Sequence, residues 1–239
     1  MKTCWLHQQG NKDCLLFFAG WGMCPEPFYA LPAGSFDVLM VYDYQSLESS
    51  KCIALLDNIK KKKSYSNIHL LAWSMGVWVA AYLFGAKKLS APCFTSAIAM
   101  GGTCTPIHDQ FGIPEQNFSN MAKQLSSASV QAFQRSMFAD DHEATRFAAA
   151  FQKGKRSCTA MHHELCTLAT ATAAQPSVPD IYTSKIVTGR DRIFPARNQI
   201  RAWGRKECQK LSLPHFPFYQ WSSWAIMMKE LKDEPEPAS

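Results

Sequence analysis

An α/β fold, with a mostly parallel sheet flanked by helices and one helical insertion, is what this sequence predicts on three observations. Short apolar runs alternate with helical patterns up to about residue 104. The alternation stops over 105–175 and then resumes. The most apolar run of the chain, Leu70–Ala86, carries a serine between small residues near its start. Strands alternating with helices require crossover connections and so lie parallel, with helices on both faces.

The elements follow in order. Cys14–Phe18 is a short apolar strand that runs into the glycine-bearing turn Ala19-Gly20-Trp21-Gly22. Phe36–Tyr42 is a second strand. A helix is expected over 50–62, with Ile53, Leu55, Leu56 and Ile59 on one face. Ile68–Trp73 is a third strand, Met75–Phe84 a helix and Thr95–Met100 a fourth strand ending in Gly101-Gly102. No strand pattern is found from Thr105 to Gln175, where helices are expected over Phe118–Leu125, Val130–Phe138, Glu143–Gln152 and Cys158–Ala173. A strand at Ile181–Val187 and a helix through Asn198–Lys210 restore the pattern, and His215 falls in a late loop. The expected organisation is a core of residues 1–104 and 176–239 with a helical cap, 105–175, over the carboxyl edge of the sheet.

Composition bounds the function. A chain of 239 residues with 47% hydrophobic and 18% charged residues supports one full core. The net charge of +6 is modest and dispersed, so nucleic acid is not demanded; a small acidic protein partner fits as well. The densest basic run, Lys60–Lys63, reads as a solvated helix end. Nine cysteines, an odd number without a CxxC pair, indicate reduced thiols rather than a disulfide framework. The first residues lack the apolar segment and cleavage site of a signal peptide, so a cytoplasmic protein is expected. Leu70–Ala86 is at the short limit for a membrane span and is better explained as a buried strand, turn and helix.

That stretch also carries the chemistry. A serine hydroxyl attacks an ester only if a base removes its proton and preorganised donors receive the oxyanion. Ala72-Trp73-Ser74-Met75-Gly76 resembles G-x-S-x-G, with alanine replacing the first glycine, and sits where a strand turns into a helix. The acid and then the histidine should follow in that order. Asp191 lies just past a strand, and His215 comes late enough for a helix and a strand to intervene. The Trp21 and Met75 backbone N–H groups are the candidate oxyanion donors. Phosphate chemistry is not indicated, because Gly101-Gly102-Thr103 lacks the P-loop lysine. A rival constellation, Cys158, His162 and Cys166 with His163 and Glu164 adjacent, follows helical spacing. It spans more than two helical turns, too far to converge on one metal ion, so a helix with buried thiols is expected there instead.

Several motifs together resemble a known family. Phe17–Met23, Tyr42-Asp43-Tyr44, Trp73–Trp78, Gly101–Thr103 with Pro106-Ile107 and Gly112–Pro114, and Asp191–Pro195 with Asn198-Gln199 and Trp203 occur in the order seen in BioG-type pimeloyl-acyl-carrier-protein methyl ester esterases. The resemblance implies an α/β-hydrolase with a helical cap that releases methanol from the methyl ester of pimeloyl-acyl carrier protein during biotin synthesis. It places the nucleophile on Ser74, the acid on Asp191 and the base on His215. Ala19 stands where the wider hydrolase pattern often has a histidine.

The resemblance also implies acyl carrier protein as partner and no metal or organic cofactor, and a monomer is expected. Arg135, Arg146, Lys153, Lys155 and Arg156 in the expected cap, with Arg201 and Arg205 after the acid, are candidate docking residues for the acidic carrier. Phe118, Phe133, Phe138 and Phe147 are candidates for lining an acyl passage. Two other classes use the same residues differently: an acyltransferase would exclude water from the acyl-enzyme, and a binding module would be indifferent to Ser74→Ala.

Overall fold

The computed structural model describes residues 1–47, 54, 58–59, 65–85 and 94–232. The helix expected over 50–62 and the Lys60–Lys63 run lie largely or wholly outside the described residues. Among the described residues, seven strands form one sheet: β1 Lys2–His7, β2 Asp13–Phe18, β3 Phe36–Tyr42, β4 Asn67–Trp73, β5 Ser96–Met100, β6 Ser184–Thr188 and β7 Gln209–Leu211. Their order is β1-β3-β2-β4-β5-β6-β7, with β1 antiparallel to β3 and every other pair parallel. The chain steps from β2 to β3 on one side and then crosses to β4 on the other. Open parallel sheets place their sites outside the carboxyl ends of the strands flanking such a reversal.

Helix α1, Met75–Phe84, follows β4 without a loop. Every side chain on it but Tyr82 is buried, which is why the run carries no charge and no polar face. Among the described residues, no helix is long and apolar enough to cross a membrane. Four helices, α2 Glu115–Lys123, α3 Ser127–Ser136, α4 Asp141–Lys153 and α5 Cys158–Ala174, lie between β5 and β6. Three of them begin at the polar residues that local chemistry requires: Ser126, Asp140 and Ser157 accept the amides of Ser129, Glu143 and Ala160.

Helix α6, Ala196–Trp203, is shorter than the helix expected through Lys210. Gly204, at φ +84°, adopts a backbone that ends the helix, and Gln209 and Lys210, the last residues of the expected helix, instead belong to β7 against β6. The strand expected from Ile181 begins only at Ser184. Helix α7, Trp224–Glu230, closes the described chain. Beneath the sheet edge, Phe17, Phe28 and Trp73 pack against Phe216, Phe218 and Trp224 with ring centroids 5.1–6.4 Å apart. Early strands and the last segment thus share one aromatic core.

Candidate active site

Ser74 occupies the junction between β4 and α1 with φ 59° and ψ −129°. A non-glycine residue reaches that region only under strain held by its surroundings. The surroundings leave little slack: a Cβ on Gly76 would lie 2.4 Å from the Phe18 carbonyl oxygen. The glycine after the serine is therefore a steric requirement of helix packing directly behind β2. Ala72, where the usual motif has glycine, sits inside β4, fully buried and paired with Phe18 and Ala99, where a methyl group is accommodated.

The structure brings the three sequence candidates together. Ser74 Oγ is 3.0 Å from His215 Nε2, and His215 Nδ1 is 2.7 Å from Asp191 Oδ2. All three side chains are nearly or fully buried. A carboxylate can only accept, so Nδ1 carries the proton and Nε2 is left to receive one from the serine. The helix and the strand between acid and base are α6 and β7, shorter than expected but in the expected order.

The residues that support this triad were assigned no role from the sequence, although Trp73, Ile193, Phe194 and Gln199 lie in the family motifs. Asp191 Oδ1 accepts the amides of Ile193 and Phe194, both at 2.8 Å. Its Oδ2 accepts from Thr188 Oγ1 at 2.6 Å and from Gln199 Nε2 at 3.3 Å. Gln199 is fully buried and also donates to the Phe194 carbonyl at 2.6 Å, tying α6 to the acid loop. The imidazole of His215 lies parallel to Phe194, with centroids 6.1 Å apart, while Trp73 Nε1 donates to the His215 carbonyl at 2.7 Å. The loop that carries His215 is thus held by the residue that immediately precedes Ser74.

The turn after β2 lies against Ser74. A Cβ on Gly20 would lie 3.0 Å from Ser74 Cβ and 3.3 Å from its Oγ, so any side chain here would crowd Ser74. Met75 is the first residue of α1, where no intrahelical carbonyl reaches its N–H. Trp21 and Met75 both line the cavity that opens on Ser74. The Trp21 indole is held by α5 and α3: its Nε1 donates to the Met161 carbonyl at 2.9 Å and its ring packs edge-on to Phe133.

The cavity has a volume of about 410 Å³. Phe118, Met121, Phe133, Leu165 and Ile193 give it apolar walls, and Asn117, Asn120 and Gln124 give α2 a polar edge. Phe118 and Phe133 therefore line it as expected. Phe138 and Phe147 do not: both pack on Phe216 at 5.0–5.1 Å, inside the core.

The docking candidates divide. Lys153, Lys155, Arg201 and Arg205 are exposed. Arg146 is exposed and stacks over the Tyr219 ring at 4.0 Å, and Arg135 pairs with Asp141. Arg156 is a correction: its side chain is 6% exposed and is bound to Asp43 and Glu164, so it has no surface to offer a partner. The thiols on α5 also differ from expectation, because Cys166 is exposed and Cys158 half-buried. Cys166 Sγ lies 3.8 Å from His162 Nε2, while Cys158 contacts Ser127.

Comparison with known proteins agrees with this architecture. The family model described as "Pimeloyl-ACP methyl esterase BioG" matches residues 1–227. A Bacteroides fragilis protein named malonyl-[acyl-carrier protein] O-methyltransferase is 32% identical over 202 residues; the match covers 84% of this chain and 38% of that protein, so the chain spans well under half of that relative. A Haemophilus influenzae protein is 30% identical over 230 residues, covering 95% of this chain and 99% of the relative. The crystal structure of BioG from Haemophilus influenzae superposes with a TM-score of 0.80 at 28% identity, covering 98% of this chain and 100% of that one. An esterase from Exiguobacterium antarcticum, at 12% identity and TM-score 0.64 over 94% of each chain, shares the fold alone. The sheet and its helices are those of an α/β-hydrolase, and the match along nearly its whole length shows that this chain belongs to the BioG family of pimeloyl-ACP methyl esterases.

Proposed function

We propose that the protein hydrolyses the methyl ester of pimeloyl-acyl carrier protein to pimeloyl-acyl carrier protein and methanol in biotin synthesis. The observation that carries this reading is the hydrogen-bonded line from Ser74 Oγ through His215 to Asp191, opening into an apolar cavity of about 410 Å³.

In this mechanism the carrier docks and its acyl chain enters between α2 and α3, in a cap spanning 105–175, until the terminal ester reaches Ser74. His215 Nε2 takes the Ser74 proton as Oγ bonds to the ester carbonyl carbon. The Trp21 and Met75 amides hold the resulting oxyanion, and Asp191 stabilises the imidazolium. The bond to the methoxy oxygen breaks, methanol leaves with the proton from His215, and an acyl-enzyme remains. His215 then takes a proton from water, hydroxide adds to the acyl carbon, and collapse returns Ser74 and frees the carboxylate. No step calls on a metal or an organic cofactor.

The test is to offer purified protein the pimeloyl-carrier methyl ester and measure acid and methanol released. Wild type should turn over, and Ser74→Ala should lose about three orders of magnitude or more in kcat. No Ser74-dependent hydrolysis would sink the reading, and consumption of an acceptor other than water would make the protein a transferase. For the partner, the exposed Lys153, Lys155, Arg201 and Arg205 are the docking residues under this reading. Reversing their charge should raise KM for carrier-bound ester at low salt and leave hydrolysis of a short free ester unchanged.

A further inference from the structure

Glu164 lies on α5, fully buried, and takes no part in the steps above. Its carboxylate is shared among separate segments of the chain. Oε1 accepts the Tyr44 amide at 3.1 Å, and Oε2 accepts the Gly22 amide at 3.2 Å together with Arg156 Nη2. Arg156 Nη1 lies 2.8 Å from Asp43 Oδ1, and Asp43 is paired in turn with Lys2.

Burying a carboxylate costs several kcal/mol before its partners compensate, and well-packed apolar side chains often replace such pairs without loss. Packing alone therefore gives no reason for an acid here. A carboxylate differs from an apolar group in accepting two backbone N–H groups at once and fixing them relative to each other. The two amides it holds belong to the loops that frame Trp21. Gly22 is the next residue, in a left-handed turn at φ +73°. Tyr44 donates through its hydroxyl to the Ala19 carbonyl at 2.8 Å. Ala19 and Gly22, on either side of the Gly20-Trp21 peptide, are thus tied to one cluster whose central member lies on α5.

We infer that Glu164, clamped by Arg156, is the positioning residue of the oxyanion loop, holding the turn at Gly20–Gly22 so that the Trp21 N–H faces the position where the oxyanion forms. This rests on the assignment of Ser74 and Trp21 made above. A donor that drifts from that position loses part of its value in the transition state while ground-state binding is unaffected, so the effect falls on kcat rather than KM. Helix α5 is then part of the catalytic apparatus as well as part of the cavity wall.

The test compares wild type, Glu164→Gln, Glu164→Asp and Thr167→Val in hydrolysis of p-nitrophenyl acetate and in inhibition by an alkyl trifluoromethyl ketone. The ketone forms a hemiketal oxyanion on the serine and so reports on the oxyanion donors. Assay at pH 8 keeps the acid ionised, because burial raises the Glu164 carboxyl to about 7. Thr167 serves as control: it lies on the same helix and donates to Gln45 at 3.2 Å, next to the same loop, without touching Gly22. Both Glu164 variants should lose roughly ten- to a hundredfold in kcat, with KM within about twofold and ketone affinity falling in parallel, while Thr167→Val stays within about twofold of wild type. The inference is overturned if folded Glu164 variants keep kcat, if they bind the ketone as wild type does, if Thr167→Val is as damaging, or if neither Glu164 variant folds. Wild-type protein without Ser74-dependent hydrolysis would instead remove the underlying reading of the site.

Discussion

The two halves of the proposed catalytic site are built differently. The acid–base half is supported from the sheet core: Thr188 at the end of β6, Gln199 on α6, the Ile193 and Phe194 amides and Trp73 on β4 together fix Asp191 and His215. The oxyanion half is supported from outside the sheet: the turn after β2 is held by Met161 and Glu164 of α5 and by Tyr44. Under the proposed mechanism, proton transfer would depend on contacts that form with the core, whereas charge stabilisation would depend on how the four-helix insertion is seated.

Substitutions can test this asymmetry. Asp191→Asn strikes the self-contained half and should lower kcat on a simple ester by about three to four orders of magnitude while the fold is retained, since the amide no longer fixes the imidazole tautomer. A loss below tenfold in a protein with unchanged circular dichroism would break the comparison. A smaller effect is expected on the other side. Trp21→Phe removes the indole donation to Met161 but keeps a ring against Phe133, and should cost about 1 kcal/mol in urea unfolding and lower kcat by about tenfold or less.

The smallest effect belongs to a site remote from both halves. His69, buried on β4, lies 2.8 Å from Ser96 Oγ; burial, followed by the nearby Lys232 charge, lowers its pKa to about 4. Below the ordinary histidine value the unfolded chain binds this proton more readily than the folded one. The stability it supports is therefore present above about pH 6.5 and lost as pH falls through about 4. His69→Gln should flatten that acid limb in pH-dependent unfolding and leave neutral-pH activity unchanged.

What the sequence disclosed follows the range of the interactions involved. The elbow at Ser74 was legible because a strand, a tight turn and a buried helix leave a continuous local pattern. Asp191 and His215 were legible because their order and their places after strands are required by the chemistry. Strand β1 was missed because Lys2–His7 is an edge strand, mostly half-exposed, with no clear apolar alternation. The strand expected between Asp191 and His215 could not be given residues, because β7 is only three residues long and follows Gly204, whose backbone conformation decides where α6 ends. Arg156 was misplaced by the rule that arginines face water, which fails where Asp43 and Glu164 meet the guanidinium in the core. The supporting contacts of Glu164, Thr188 and Gln199 could not be read locally, because each acts on a segment that folding alone brings near. Phe138 and Phe147 could not be told from cavity-lining aromatics until their contacts with Phe216 were known.

The bond from Trp73 to the His215 carbonyl has a consequence for synthesis on the ribosome. Ser74 and His215 are 141 positions apart. At translation rates of 5–20 residues per second, the serine is made roughly 7 to 28 s before its partner histidine. During that interval Trp73, Phe17 and Phe28 have no Phe216, Phe218 or Trp224 to pack against. The nascent chain thus carries Ser74 without its imidazole partner, and one late docking event closes the aromatic core and brings His215 to the hydroxyl.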